Sequence, residues 1–199
     1  MINTIVFDFG GVLIDWNPRY LYKEIFKDKE EMEWFLSNVC TTEWNLEQDR
    51  GRLFSEGISL LKKSFPEHTK NIDFFHTNWE DMLKGEITGT VQILRELKEK
   101  YKVYGLTNWS AETFPIAFSR FAFLRLFDGI IVSGEEKIIK PDKEIFQLLL
   151  ERYDLRAESC VFIDDSKKNI DASIHLGFYG IHFLDSDQLK LELRKIGVF

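Results

Sequence analysis

Several absences narrow this 199-residue chain before any motif is read. It has two cysteines, Cys40 and Cys160, too few and too far apart for a disulfide framework or a zinc site. It has no excess of positive charge. A net charge of -7 speaks against nucleic acid as partner, because gripping a phosphate backbone needs a basic face. A small anionic substrate stays open, since a local pocket can oppose the global charge. No apolar run approaches the roughly 20 residues of a membrane span, so no membrane partner is expected. No basic stretch followed by an apolar segment and a small-residue cleavage site opens the chain. These features predict a reduced, cytoplasmic setting. No internal repeat or low-complexity tract is present.

What is there reads as one well-packed globular chain, 44% hydrophobic and 30% charged. Short apolar runs at 4–9, 102–107, 129–133 and 160–164, with a weaker one at 179–183, are predicted strands. They lack clean alternation, as strands buried on both faces do. Between them, 90–100, 143–153 and 167–176 carry apolar residues at helical spacing, the last ending at Gly177 as a C-cap. Alternating strands and helices imply βαβ units with right-handed crossovers, hence an α/β fold with a doubly wound parallel sheet.

Residues 15–86 break the alternation. Helical patterns at 19–26, 29–40, 53–65 and 71–83 follow one another with no convincing strand. Asn17-Pro18 starts the first of them, and Gly51, Gly57, Pro66 and Gly85 punctuate the rest. The expected organisation is a core of 1–14 and 87–199 with an α-helical insertion at 15–86. The insertion's aromatics read mainly as its own packing. Asp15, Trp16, Trp44, Asn45 and Asp49 are its candidates for contact with a substrate. Whether the chain forms oligomers is open.

In an open parallel sheet, ligands bind beyond the carboxyl ends of the strands. Polar residues leave four of the predicted strand ends. Asp8 ends the first, followed by Gly10-Gly11, whose backbone N–H groups can cradle an anion. Thr107-Asn108 ends the second. Lys140-Pro141 follows the third. Asp164-Asp165-Ser166 ends the fourth, and two adjacent carboxylates leaving an apolar strand are costly without a cation. Asp165 and Asn169 are four apart and would share a helix face. Each signal has an ordinary structural explanation when taken alone: a turn aspartate, a helix cap, a surface lysine, an N-cap. The four histidines show no ligand spacing near these strand ends and read as surface or packing residues.

Together, Asp8-Phe9-Gly10-Gly11-Val12, Leu106-Thr107-Asn108, Lys140-Pro141 and Asp164-Asp165-Ser166 resemble, in order and spacing, the motifs of the haloacid dehalogenase-like hydrolase superfamily. The resemblance covers essentially the whole chain and matches a subgroup with a helical cap and an Asp-x-Gly first motif. It implies a Rossmann-like core and a Mg²⁺-dependent phosphatase for a small phosphorylated metabolite. Asp8 would be the nucleophile, forming an aspartyl-phosphate. Thr107 and Lys140 would complete the catalytic set. Phe9, Gly10, Thr107, Asn108 and Lys140 would contact substrate. Asp8, the Gly10 carbonyl and Asp165 would hold Mg²⁺, with Asp164 and Asn169 behind them.

One position departs from the pattern. Phosphatases of the family usually carry a second Asp two positions after the nucleophile, where this chain has Gly10. The metal-binding carbonyl survives, but the carboxyl that protonates the leaving group is lost. Another acid, water, or a good leaving group must compensate, and the last would favour anomeric sugar phosphates. The alternatives are a 2-haloacid dehalogenase, which needs no metal and does not generally keep the Asp164-Asp165 pair, and a catalytically weak regulatory protein of the same fold.

Overall fold

The computed structural model describes residues 1–199. Seven strands run in chain order as β1 (Thr4–Phe7), β2 (Ile14–Trp16), β3 (Leu83–Glu86), β4 (Lys102–Thr107), β5 (Gly129–Val132), β6 (Cys160–Asp164) and β7 (Tyr179–His182). Five helices lie between β2 and β3: α1 (Arg19–Ile25), α2 (Lys29–Asn38), α3 (Thr42–Asp49), α4 (Phe54–Ser64) and α5 (Thr69–Thr77). The others are α6 (Thr88–Lys98), α7 (Phe114–Arg120), α8 (Ser133–Glu136), α9 (Lys143–Arg152), α10 (Lys167–His175) and α11 (Ser186–Lys195).

The main sheet is parallel, in the order β5-β4-β1-β6-β7. Its side chains divide by the two-residue period of a strand. Ile5 and Phe7 of β1 join one apolar cluster with Val161 and Ile163, under Val91, Leu94 and Leu97 of α6 and Leu189 and Leu193 of α11. Val6 joins the other with Phe162, under Ile145, Phe146 and Leu149 of α9 and Ile170 of α10. Burial on both faces explains why these strands read as unbroken apolar runs. Each such side chain contributes about 1.5–3 kcal/mol relative to its exposed state.

The strand order places the site. The chain builds outward from β1 through β4 to β5, then returns to the other side of β1 with β6. The order therefore reverses beside β1, where a crevice opens at the strands' carboxyl ends. Phe7 pairs with Gly105 on one side and Ile163 on the other, so Asp8, the residues after Leu106 and Asp164 emerge side by side.

The helical stretch differs from its sequence pattern in three ways. A helix over Thr42–Asp49 was not expected. It is capped by Thr41, whose hydroxyl accepts from the Trp44 N–H at 3.1 Å. Only Trp44 and Gln48 of this helix are buried, so it shows no apolar stripe to read. Second, the stretch is bounded by a two-stranded antiparallel ribbon, β2 with β3, too short to stand out as strands. Third, the last predicted helix ends at Thr77 and gives way to a 3₁₀ turn over Trp79–Met82. Tyr22, Phe26, Phe35, Phe54 and Phe75 pack against one another inside the stretch.

Candidate active site

Lys140 is the hub of the crevice. It is 1% exposed, and its ammonium meets Asp8 Oδ1 at 2.9 Å, Asp164 Oδ2 at 2.7 Å and the Leu106 carbonyl at 2.8 Å. All three of its protons are committed. Burial works to lower its pKa, but the Asp164 and Asp8 carboxylates outweigh that and raise it, so the ammonium stays charged. The backbone of Lys140 is clamped as well. Its N–H donates to Asn108 Oδ1 at 2.8 Å, and Asn108 Nδ2 donates back to the Lys140 carbonyl at 3.0 Å. Asn108, expected to contact substrate, makes this clamp with its carboxamide and also lines the crevice.

Asp8 Oδ1 accepts from Lys140 and from the Phe9 N–H at 2.7 Å. Its Oδ2 has no protein partner. Burial pushes the Asp8 carboxyl up to about 7; Lys140 opposes this, and Asp164 and Asp165 add to it. The Phe9 side chain does not face the crevice as expected. It is fully buried, stacked on Phe114 and edge-on to Phe127, because the strand period turns it into the core. Phe9 contributes only its backbone. In the turn that follows, the N–H groups of Gly11, Val12, Leu13 and Ile14 bond to Phe9 and Ile14 carbonyls. The Gly10 N–H and carbonyl make no bond within the protein and remain available.

Asp8, Asp164 and Asp165 offer carboxylate oxygens that all lie within 4.8 Å of one another. Their hydrogen bonds separate them. Asp164 is saturated: it accepts from Lys140, from the Ser166 N–H at 2.8 Å and from Asn169 Nδ2 at 3.1 Å on both oxygens. Asn169 thus serves Asp164, not Asp165 with which it was paired by spacing, because Asp165 precedes the helix start at Lys167. The Asp165 carboxylate has no hydrogen-bond partner, and burial, then Asp164, raise its pKa. Three carboxylates around one ammonium leave excess negative charge in a partly desolvated crevice. Asp8 Oδ2, the Gly10 carbonyl and Asp165 are the free oxygens there, and such a donor set fits a hard divalent cation such as Mg²⁺.

Two residues that support this set had weak signals in the sequence. Gly11 adopts φ +74, and a Cβ on it would collide with Asp165 Oδ2. Gly-Gly after Asp8 was the only hint. His182 Nε2 lies 2.9 Å from the Asp165 carbonyl, so one histidine does sit behind the site. It is brought there by β6–β7 pairing, which no local spacing reveals.

Thr107 Oγ1, at the carboxyl end of β4, is buried without a hydrogen-bond partner. An unpaired buried hydroxyl costs about 1–3 kcal/mol, which an oxygen of a bound oxyanion would offset.

The crevice opens into a cleft of about 590 Å³ between the strand ends and α1–α3. A smaller chamber of about 70 Å³ adjoins it, walled by Trp16, Phe54, Trp79 and Trp109. Both are lined by Gly10, Trp16, Asn45, Asp49 and Asn108. Three of the five candidates from the helical stretch therefore face the cleft. Trp44 does not: it packs against Phe54 and Phe75 and donates to the Gly57 carbonyl at 3.2 Å. Asp15 instead accepts from the Tyr20 hydroxyl at 2.9 Å. Burial pushes the Asp49 carboxyl up to about 7, with the Ser110 backbone and Lys140 opposing and Asp8 adding.

The chain is similar to known proteins along nearly its whole length. A family model described as haloacid dehalogenase-like hydrolase matches residues 2–177. The sesquiterpene phosphatase astK of Aspergillus oryzae is 30% identical over 193 residues, covering 96% of this chain and 94% of that protein. A phosphorylated carbohydrates phosphatase of Thermotoga maritima is 25% identical, covering 96% and 91%. Among solved structures, a HAD family enzyme of Bacteroides thetaiotaomicron, in complex with magnesium and inorganic phosphate, superposes with a TM-score of 0.70 at 25% identity, covering 93% and 96%. No helix of this chain is long and apolar enough to cross a membrane.

Proposed function

Because the chain belongs to the haloacid dehalogenase-like hydrolases, we propose that it is a Mg²⁺-dependent phosphatase acting on a small phosphorylated metabolite through an aspartyl-phosphate on Asp8. The observation that carries this reading is the division of labour among the carboxylates. Asp164 is consumed by Lys140, Ser166 and Asn169, while Asp8 Oδ2 and Asp165 are left free on the side facing the cleft. A dehalogenase site has no use for a spare carboxylate beside its nucleophile; a metal-assisted phosphatase does. The relatives named as phosphatases support the same class.

In this mechanism the substrate's phosphoryl group enters the cleft against Asp8. A carboxylate oxygen of Asp8 attacks phosphorus, and the hold of Lys140 and the Phe9 N–H on Oδ1 keeps the carboxylate from rotating away. The P–O bond to the leaving group breaks, and water then hydrolyses the acyl phosphate. A carboxylate nucleophile divides one difficult displacement into two. Thr107 Oγ1 and the free Gly10 N–H donate to phosphoryl oxygens. The Lys140 ammonium offsets negative charge on Asp8 and Asp164 before and after transfer. Asp8, the Gly10 carbonyl and Asp165 would hold Mg²⁺, which when bound neutralises phosphoryl charge. Residues 15–86 would act as the cap that closes over the cleft and selects the organic part of the substrate. The four aromatic rings of the side chamber suit an apolar or ring-bearing group, with sugar phosphates as first candidates.

The test is phosphate release from p-nitrophenyl phosphate and a panel of sugar and prenyl phosphates, with and without Mg²⁺. Turnover that needs Mg²⁺ and disappears in Asp8→Asn is expected. Halide release from 2-chloropropionate without metal would replace this reading with the dehalogenase one.

A further inference from the structure

Gly10 brings no carboxyl to the cleft beside Asp8, yet another element supplies one. A β-carbon built on Gly10 would meet no atom within 4 Å, so the space beside the nucleophile is open. Asp49, the last residue of α3, lines both the cleft and the aromatic chamber together with Gly10. We propose that Asp49 is the general acid that protonates the leaving group, and the general base for the water of the second step. This rests on the phosphatase reading above and assigns the function that Gly10 removes.

Three observations support the assignment. First, the Asp49 carboxylate is lightly held: Asn45 Nδ2 donates to it across a long 3.3 Å, the Ser110 backbone N–H faces it, and no cation lies within ion-pair distance. A half-buried acid with no ion pair and only light hydrogen bonds is free to exchange a proton.

Second, its backbone is pinned over the strand ends. Ser133 Oγ donates to the Asp49 carbonyl at 2.6 Å and itself accepts from the Trp109 N–H at 2.9 Å. The next residue, Arg50, pairs with Asp142 at 2.9 Å, and Phe54 N–H donates to Glu112 at 2.6 Å. These links tie the end of α3 to the loops after β4 and β5, so the carboxyl is held by rigid elements.

Third, its surroundings favour a neutral acid near pH 7. It sits at the carboxyl end of a helix, where the macrodipole disfavours a negative charge. The charged groups facing it are Asp8 and Lys140 from the core, with Asp165, Arg19 and Glu43 elsewhere on the cleft wall. A pKa pushed up to about 7 suits both halves of the reaction.

In the first step a carboxylate oxygen of Asp8 bonds to phosphorus and the P–O bond to the leaving group breaks. The electron pair stays on the leaving oxygen, which takes the Asp49 proton and departs as an alcohol. In the second step Asp49, now a carboxylate, removes a proton from water as that oxygen bonds to phosphorus. The Asp8–phosphorus bond breaks, inorganic phosphate leaves, and Asp49 is protonated again. With this acid in place the chain is not restricted to substrates with good leaving groups.

Leaving-group dependence tests this. Wild type, Asp49→Asn and Asp49→Asn/Gly10→Asp are compared by kcat/KM, which reports the first irreversible step, on p-nitrophenyl phosphate and on an alkyl phosphate. A thermal melt confirms that each variant folds. The proposal expects Asn at 49 to cost at least about 100-fold on the alkyl phosphate and under about tenfold on the nitrophenyl ester, whose leaving group needs no proton. It expects Gly10→Asp, placed in the open space, to recover much of the alkyl activity. An equal loss on both substrates, or no loss on either, overturns it. Wild type inactive on both substrates with Mg²⁺ present would overturn the phosphatase reading, and this assignment with it.

Discussion

Asp165 lies so close to Gly11 that a β-carbon there would collide with its Oδ2, and Gly11 holds a left-handed φ of +74. The turn after Asp8 and the end of β6 are thus fitted to one another at the Gly11 α-carbon. Gly11→Ala should force Asp165 away from Asp8 and add about 1–2 kcal/mol of backbone strain. The expected result is a folded protein whose Mg²⁺ activation curve shifts to at least tenfold higher concentration. Unchanged activation would mean that Asp165 is not placed by this contact.

Lys140 is the counter-charge of two buried carboxylates. Replacing it with Ala leaves Asp8 and Asp164 facing each other without an ammonium. Breaking a buried pair in this way typically costs about 3–5 kcal/mol. Urea unfolding at neutral pH should show a loss of that size, and phosphatase turnover should disappear. Lys140→Ala unfolding at the wild-type midpoint would contradict the burial and pairing described here.

Much of this was open to reading from the chain alone, and the parts that were not have physical causes. Strands buried on both faces announce themselves as apolar runs, so Asp8, Thr107 and Asp164 stand out where those runs stop. The helix ending in Asp49 stayed hidden because only Trp44 and Gln48 of it are buried. The use of Asn108 to clamp Lys140, and the approach of His182 to Asp165, are consequences of strand pairing across more than 15 residues of sequence. Phe9 was misplaced for a simpler reason. It follows Asp8 directly, and adjacent residues of an extended segment point to opposite sides.

Away from the site, Asp128 closes the edge of the sheet. It accepts from Lys98 at 2.6 Å, Lys102 at 3.4 Å and the Val103 N–H at 2.8 Å. Burial works to raise its pKa, but these partners prevail and lower it. A carboxyl lowered on folding stabilises the protein above its unfolded value near 4, and that contribution is lost as pH falls through the folded value. Asp128→Asn should therefore cost about 1 kcal/mol at pH 7, allowing for its partial exposure. The difference from wild type should shrink steadily on acidification below about pH 4. A gap that stays constant across that range would show that charge is not what Asp128 contributes.

The central claim is that Asp8 carries the phosphoryl group between two steps, and acid quenching during turnover tests it directly. With Mg²⁺ and a turned-over phosphate ester, the account predicts a phosphoryl adduct on the peptide bearing Asp8, absent in Asp8→Asn and labile at alkaline pH as an acyl phosphate is. Turnover that persists in Asp8→Asn, or an adduct on any other residue, would contradict it.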